Sequence, residues 1–383
     1  MRKLGADEEW TKIHALSRSK KDKYPASVEH NHIDLTASPD ELAKQLQGVQ
    51  GDYLFFAAYL ADDDEQKMCD LNGSMLRNFL HALHATGAIN SLKRVVLVTG
   101  AKIYGVHLGV PKNPMSENDP FLEGSEWPPN FYYVQSHILK EEASKAGFDW
   151  TVTYPNDVIG VAKGNFMNLT TTLGLYCSVT KELGEATLTW PGSSEFYGFF
   201  DCMTDADLHA DFCHWAATEP NCSNQAFNVV NGDAITFSSL WAKFAARFGL
   251  SLDPHDLSNP PKDPSIQKLA PHPPVSASAA ANGLVDHFKQ SIVEQRVNLV
   301  KWSQRANVKA AWDRLAEREG LEHDSFEKAT WGFLSFVLGR NFNLMISMSK
   351  ARKAGWAGYV DTWDAFEKHF GTLEEAKVLP KRK

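Results

Sequence analysis

Cysteine is scarce in this chain, and what there is forms no working pattern. Cys69, Cys177, Cys202, Cys213 and Cys222 are the five in 383 residues, and none forms a Cys-x-x-Cys pair. That spacing argues against a disulfide framework and against a structural zinc site. Reduced thiols in a cytoplasmic protein are expected. No run reaches the roughly 18 apolar residues of a membrane helix. Met1 to Trp10 holds no apolar signal core. Positive charge is also in deficit, with 39 Lys and Arg against 47 Asp and Glu and a formal net charge of −8. Neither nucleic acid nor an anionic membrane is expected as a partner.

Several catalytic signatures are missing too. No Gly-x-Ser-x-Gly elbow occurs, which argues against an α/β-hydrolase. No Gly-x-Gly-x-x-Gly turn follows an opening strand, and Gly5 stands alone before Trp10. Gly100 to Gly105 is a poor substitute. Lys102, Ile103 and Tyr104 are too bulky for a close backbone approach, and three strand-like runs already precede it. Val106 after Gly105 rules out a phosphate-binding P-loop. None of the ten tyrosines has a lysine four residues later. A Tyr-x-x-x-Lys pair on one helical face is therefore excluded.

What remains is an ordinary globular composition, 43% hydrophobic and 22% charged, with length enough for a substantial core. Strand-like runs at 12–17, 29–35, 52–57, 92–98 and 150–154 alternate with helical patterns. Ser38-Pro39-Asp40-Glu41 is a helix start. Met68, Leu71, Met75, Phe79 and Leu83 recur at helical spacing until Gly87 stops them. This alternation predicts an α/β fold, an extended Rossmann-like doubly wound parallel sheet, with its usual first strand and glycine turn missing. Residues 1–160 read as the dinucleotide-binding region. Residues 161–383 read as a mixed, mostly helical substrate-binding region interleaved with late sheet strands. Within it, 187–190 and 226–230 are expected as strands, and helices near 166–181, 205–217 and 238–249. Asp205 and Asp207 suit a helix N-terminus. Residues 251–283, rich in Pro, Ser and Ala, read as a surface excursion. The many Phe and Trp of the second half suit either an apolar pocket or plain core.

The chemistry centres on 95–133. Val95-Val-Leu-Val98 reads as a buried parallel strand ending at Thr99-Gly100. Ligands bind beyond the carboxyl ends of such strands, and Lys102 sits there. Phe131 starts a helix, so Tyr132 or Tyr133 lies near its N-terminus. A Lys and a Tyr above a sheet end suit a cofactor-dependent reductase, the phenol steadying charge on a substrate oxygen. Arg18, Lys20 and Lys21 follow the first visible strand, with no acid before Asp22. They are either a solvated basic loop or a seat for the 2′-phosphate of NADPH.

Thr99-Gly-Ala-Lys-Ile-Tyr104, Asn130-Phe-Tyr-Tyr133, Thr204-Asp-Ala-Asp-Leu208, His214-Trp-Ala-Ala217 and Ala226-Phe-Asn-Val-Val-Asn-Gly-Asp233 occur in that order. Together they resemble the progesterone 5β-reductase/iridoid synthase-like family of short-chain dehydrogenase/reductases, from about Trp10 to Gly355. The resemblance implies NADPH-dependent 1,4-reduction of activated C=C bonds in enones or enals. It makes Lys102 and Tyr132 the catalytic pair. It places Arg18 and Ser19 on the 2′-phosphate, Asp34 and Leu35 near the adenine, and Ala57, Tyr59 and Thr99 along the cofactor groove. Tyr154, Pro155 and Val158 would line the nicotinamide. Leu108 stands where plant members have a pocket Phe, so the substrate shape is expected to differ. A small apolar carbonyl substrate is expected, and a homodimer is compatible. The rival readings are a non-catalytic or impaired Rossmann relic that binds a partner, and an extended short-chain epimerase or dehydratase.

Overall fold

The computed structural model describes residues 1–20, 24–162 and 167–382. The chain opens with a single helical turn, α1 (Arg2–Gly5). Two strands follow, β1 (Ile13–Ser17) and β2 (Val28–His32), paired in parallel with Ile13 opposite Val28. Helix α2 (Pro39–Gln45) leads to β3 (Tyr53–Phe56). Helix α3 (Glu65–Thr86) leads to β4 (Arg94–Val98), and α4 (Phe131–Ala146) to β5 (Asp149–Pro155). After the short strands β6 (Val158–Ile159), β7 (Phe200–Asp201) and β8 (Thr204–Asp205), the chain returns to the sheet as β9 (Gln225–Val229). The main sheet runs β3-β4-β5-β9, all parallel. This is a Rossmann-like α/β fold whose sheet comes in two pieces.

Local signals explain most boundaries. Val95, Val96 and Leu97 have no solvent exposure, as a strand covered on both faces requires. Asp64 caps α3 by accepting from the Lys67 amide, and Gly87 ends it with a φ of 75°. Ser38 caps α2 through the Glu41 amide. The Glu41 carboxylate accepts from the Ser38 hydroxyl at 3.4 Å. Asp205 caps α6 (Ala206–Thr218), which follows α5 (Leu169–Glu182). The expected helix start at Phe166 lies outside the described residues, as do Lys21 and Asp22.

Two cores result. One lies under the sheet, where Leu42, Leu76, Leu80 and Leu139 of the helices meet Val95, Leu97 and Val152 of the strands. The other belongs to the helical second half and includes Trp190, Trp241, Phe244, Phe366 and Phe370, each almost wholly buried. These five aromatics are core, joined by edge-on contacts such as Trp190–Trp241 at 4.8 Å. The expected strand at 187–190 is reduced to one bridge, Thr187 to Ser251. Trp190 instead turns inward and donates its indole N–H to the Ser193 carbonyl at 2.8 Å. The 251–283 excursion is broken by a strand, 265–268, paired antiparallel with 292–295. No described helix is long and apolar enough to cross a membrane.

Candidate active site

Strand β4 ends at Val98, and two residues on stands Gly100, whose φ of 176° is ordinary extended backbone. A Cβ at Gly100 would stand 3.3 Å from the Tyr132 hydroxyl oxygen and 3.4 Å from the Pro155 carbonyl oxygen. The tyrosine hydroxyl therefore hangs directly over the sheet end, between the tips of β4 and β5. Here the glycine matters for space and not for its dihedral freedom.

One asparagine ties the two halves of this site together. Asn130 is the N-cap of α4, and its Oδ1 accepts from the Tyr132 amide at 3.0 Å. Its Nδ2 donates to the Lys102 carbonyl at 2.9 Å. The loop that carries Lys102 and the helical turn that carries Tyr132 are thus fastened to the same side chain. Asparagine is a favoured capping residue, but its second bond, across 28 residues, leaves no local trace.

The structure also separates the two tyrosines. Tyr133 donates its hydroxyl to the Ile103 carbonyl at 2.7 Å and accepts from the Leu122 amide at 3.2 Å. It is a packing residue stacked on Phe121 at 4.3 Å. Tyr132 shows no such commitment. Burial pushes its phenol well above the ordinary value, with the neighbouring Tyr59 adding to the effect. A phenol raised in this way keeps its proton and is able to donate a hydrogen bond. Phe131 packs on Tyr132 at 4.3 Å and stacks on Tyr59 at 5.1 Å, which fixes both rings.

Lys102 is largely buried. Desolvation pulls its amine below the ordinary lysine value, and Glu65 partly opposes this. No hydrogen bond or ion pair holds the amine among the described residues. His107 lies within electrostatic reach of it. Burial, then the Lys102 charge, drop this imidazole to about 3, so it is neutral. Its buried Nδ1 lacks a hydrogen-bond partner among the described residues. His107 was missed in the sequence, where a lone histidine two residues past Gly105 carries no signal.

The residues expected at the cofactor fall into two groups. Arg18, Asp34, Leu35, Ala57 and Tyr59 line one cavity of about 550 Å3 with Leu16, Phe56, Met75 and Phe79. Asp34 accepts from the Thr36 hydroxyl at 2.7 Å and the Thr36 amide at 3.1 Å. These bonds hold its carboxyl below the usual carboxylate range. Burial pushes the Tyr59 phenol up to about 12. The others stand apart from this lining. Ser19 is exposed, and its carbonyl accepts from the Ser17 hydroxyl at 3.0 Å. Thr99 is buried and spends its hydroxyl on the Thr153 carbonyl at 2.9 Å. Tyr154 sits in the core, edge-on to Tyr104 at 5.8 Å. Pro155 meets the site through its carbonyl, and Val158 is exposed on β6. Leu108 is half-buried against the sheet core.

A last feature holds the tip of β5. Arg340, from the helical half, makes a bidentate ion pair with Asp157, and Asp201 lies 3.7 Å from the same guanidinium. All three are buried. Asp157 has a φ of 29°, a strained value for a residue with a side chain.

The Rossmann-like sheet, with a lysine, a tyrosine and a glycine beyond the carboxyl end of β4 and β5, has the frame of the short-chain dehydrogenase/reductase class. The chain belongs to the PRISE-like Rossmann-fold family, whose model matches residues 28–265. It is 40% identical to an uncharacterized protein of Schizosaccharomyces pombe over 99% of this chain and 94% of that one. It is 26% identical to a 3-oxo-Delta(4,5)-steroid 5-beta-reductase of Arabidopsis thaliana, over 96% of this chain and 86% of that one. Among solved structures it resembles the Bordetella bronchiseptica enzyme WbmG, in complex with NAD and UDP. That likeness has a TM-score of 0.55 at 11% identity, covers 98% of this chain and 92% of that one, and speaks to fold alone.

Proposed function

We propose that this protein is an NADPH-dependent reductase of activated C=C bonds, acting on a small apolar enone or enal. The observation that carries the reading is the neutral Tyr132 hydroxyl poised over Gly100, with the Lys102 loop fastened to the same helix turn by Asn130. The relative named as a 3-oxo-Delta(4,5)-steroid 5-beta-reductase points to the same substrate class.

The donor set of the large cavity fits the adenosine end of the cofactor. Arg18 offers a cation for a 2′-phosphate, Asp34 an acceptor for a hydroxyl, and Leu35 and Ala57 an apolar wall. When bound, NADPH supplies the hydride that the β-carbon of the substrate accepts. The chain's own residues handle the carbonyl end. Tyr132 donates a hydrogen bond to the carbonyl oxygen. That bond strengthens as enolate charge develops, so it favours the transition state over the ground state. Lys102 brings an ammonium with no hydrogen-bond or ion-pair partner among the described residues to the same sheet end, where low dielectric magnifies its effect. His107, held neutral, adds no charge and offers one unsatisfied nitrogen.

The test is NADPH oxidation over a panel of enones, enals and saturated aldehydes. The reading expects turnover with conjugated substrates and none with saturated ones. Reduction of the saturated aldehydes alone would overturn it. A non-catalytic binding role has one specific observation in its favour, the division of the sheet into two pieces. It predicts no NADPH consumption with any member of the panel.

A further inference from the structure

The buried triad behind the tip of β5 has an unbalanced charge. Arg340 follows the helix Trp331–Gly339 and faces two carboxylates, Asp157 and Asp201. Asp157 takes both arms of the guanidinium fork, with Nη2 donating to its Oδ1 at 3.0 Å. Asp201 is left outside that fork. Its Oδ1 accepts from the Cys202 amide at 2.8 Å and from Asn156 Nδ2 at 3.2 Å. Its Oδ2 lies 3.7 Å from Arg340 Nη1, is buried, and has no hydrogen-bond partner among the described residues. The Asp201 side chain has no solvent exposure, and Phe196 and Phe336 cover the guanidinium at 5.8 and 5.2 Å. One cation therefore serves two carboxylates in a site shut off from water. The Cys202 thiol beside them adds no charge, because burial pushes it up to about 12.

We propose that Asp201 holds a proton in the working protein, and that this proton makes Arg340 the positioning residue for the tip of β5. Two carboxylates that share one cation away from water favour a proton on one of them. The carboxyl with the weaker hold on the guanidinium takes it. Burial first, then the Asp157 charge, push Asp201 up to about 7, against the pull of Arg340 and of the Cys202 and Asn156 bonds. With Asp201 neutral, Arg340 and Asp157 form a closed pair of zero net charge. That pair holds the Asp157 backbone at its strained φ of 29°. The tip it holds belongs to the candidate active site. Pro155, two residues back, sets its carbonyl oxygen by Gly100, where the Tyr132 hydroxyl also lies. Asn156 joins the tip to Asp201 directly and to the Cys202 carbonyl at 2.8 Å. When the proton leaves for solvent, Asp201 competes with Asp157 for one guanidinium, and the strained turn loses part of its hold. The charged and titratable groups facing Asp201 are thus Asp157 from the turn between β5 and β6, Arg340 from the helical half and Cys202 beside it. The effect on turnover rests on the reductase reading; the buried proton and the hold on the tip do not.

The experiment compares the full chain with Asp201→Asn, which keeps the acceptor for Asn156 and Cys202 and makes the neutral state permanent. Infrared spectra taken without cofactor report the proton itself. The wild type should show a protonated-carboxyl stretch that titrates with a midpoint near 7 and is missing from the variant. A wild type without that band at about pH 6, or a variant that retains it, overturns the proposal. Amide hydrogen exchange across 156–159, also without cofactor, reports the hold on the tip. At about pH 8 the wild type should exchange about fivefold faster than the variant, and at about pH 5.5 the two should match. Equal exchange at both pH values overturns the positioning role. With a conjugated enone, wild-type kcat/KM should fall about fivefold from about pH 6.5 to pH 8.5, while the variant changes less than about twofold. Parallel profiles overturn the link to the reaction. No turnover in either protein contradicts the reductase reading instead, and the infrared band and the exchange rates still decide the proton and the tip.

Discussion

Replacing Asn130 separates its two jobs. Asn130→Ala removes the N-cap of α4, which costs about 1 kcal/mol. It also takes one of two donors from the Lys102 carbonyl, which still accepts from the Gly105 amide at 3.0 Å, and the lost bond costs about 1 kcal/mol more. The sum is about 2 kcal/mol, a loss of roughly 2–3 °C in melting temperature for a chain of this size. Asn130→Ser keeps a capping oxygen but is too short to reach Lys102, so it recovers about 1 kcal/mol of that loss. The two variants differ in stability, but the tether is gone in both. If the tether sets the Lys102 loop against Tyr132, both lose turnover alike. A displacement near 1 Å costs on the order of 10²-fold. Thermal melts give the first quantity, and steady-state NADPH oxidation with a conjugated enone gives the second. A serine variant with wild-type kcat would show that the Asn130–Lys102 bond has no part in the reaction.

Three further outcomes follow from the same geometry. Arg340→Met leaves Asp157 and Asp201 buried without their cation, and breaking a buried pair costs about 3–5 kcal/mol; a urea midpoint shift worth under 1 kcal/mol would contradict that. Gly100→Ala places a methyl 3.3 Å from the Tyr132 oxygen, in the space a substrate oxygen needs, so it should lower kcat/KM at least tenfold with little change in melting temperature; equal activity would show that the substrate does not enter there. His209, hydrogen-bonded to the Thr153 hydroxyl at 2.9 Å, is lowered by burial to about 4. The unfolded chain takes up its proton first, so stability is full above about pH 6.5 and falls as pH drops toward 4, by at most about 3 kcal/mol. His209→Gln should flatten that part of the stability–pH curve, and an unchanged slope would refute the assignment.

The sheet and its helices were legible because their signals are local. Val95 to Val98 is a solid apolar run, Asp64 and Gly87 bracket α3, and Asn130 and Gly147 bracket α4. Tyr132 was placed near the right helix end, but nothing local distinguishes it from Tyr133. Only the Tyr133 bond to the Ile103 carbonyl does so. The run at 187–190 alternates like a strand, yet a strand also needs a partner, and it finds a single bridge. The aromatic residues of the second half have the same composition whether they line a pocket or fill a core. Their edge-on packing decides for core. Arg340 and Asp157 lie 183 residues apart, and a contact over that distance leaves no periodic trace in either segment.

Transfer of a labelled hydride tests the central claim most directly. In a single turnover with NADPH deuterated at the transferable position, the deuterium should appear on the β-carbon of a conjugated enone. Tyr132→Phe should slow that transfer by about 10²–10³-fold, the effect of removing one oxyanion donor, while the label stays at the same carbon. Deuterium on the carbonyl carbon, or an undiminished rate in the phenylalanine variant, would contradict the account.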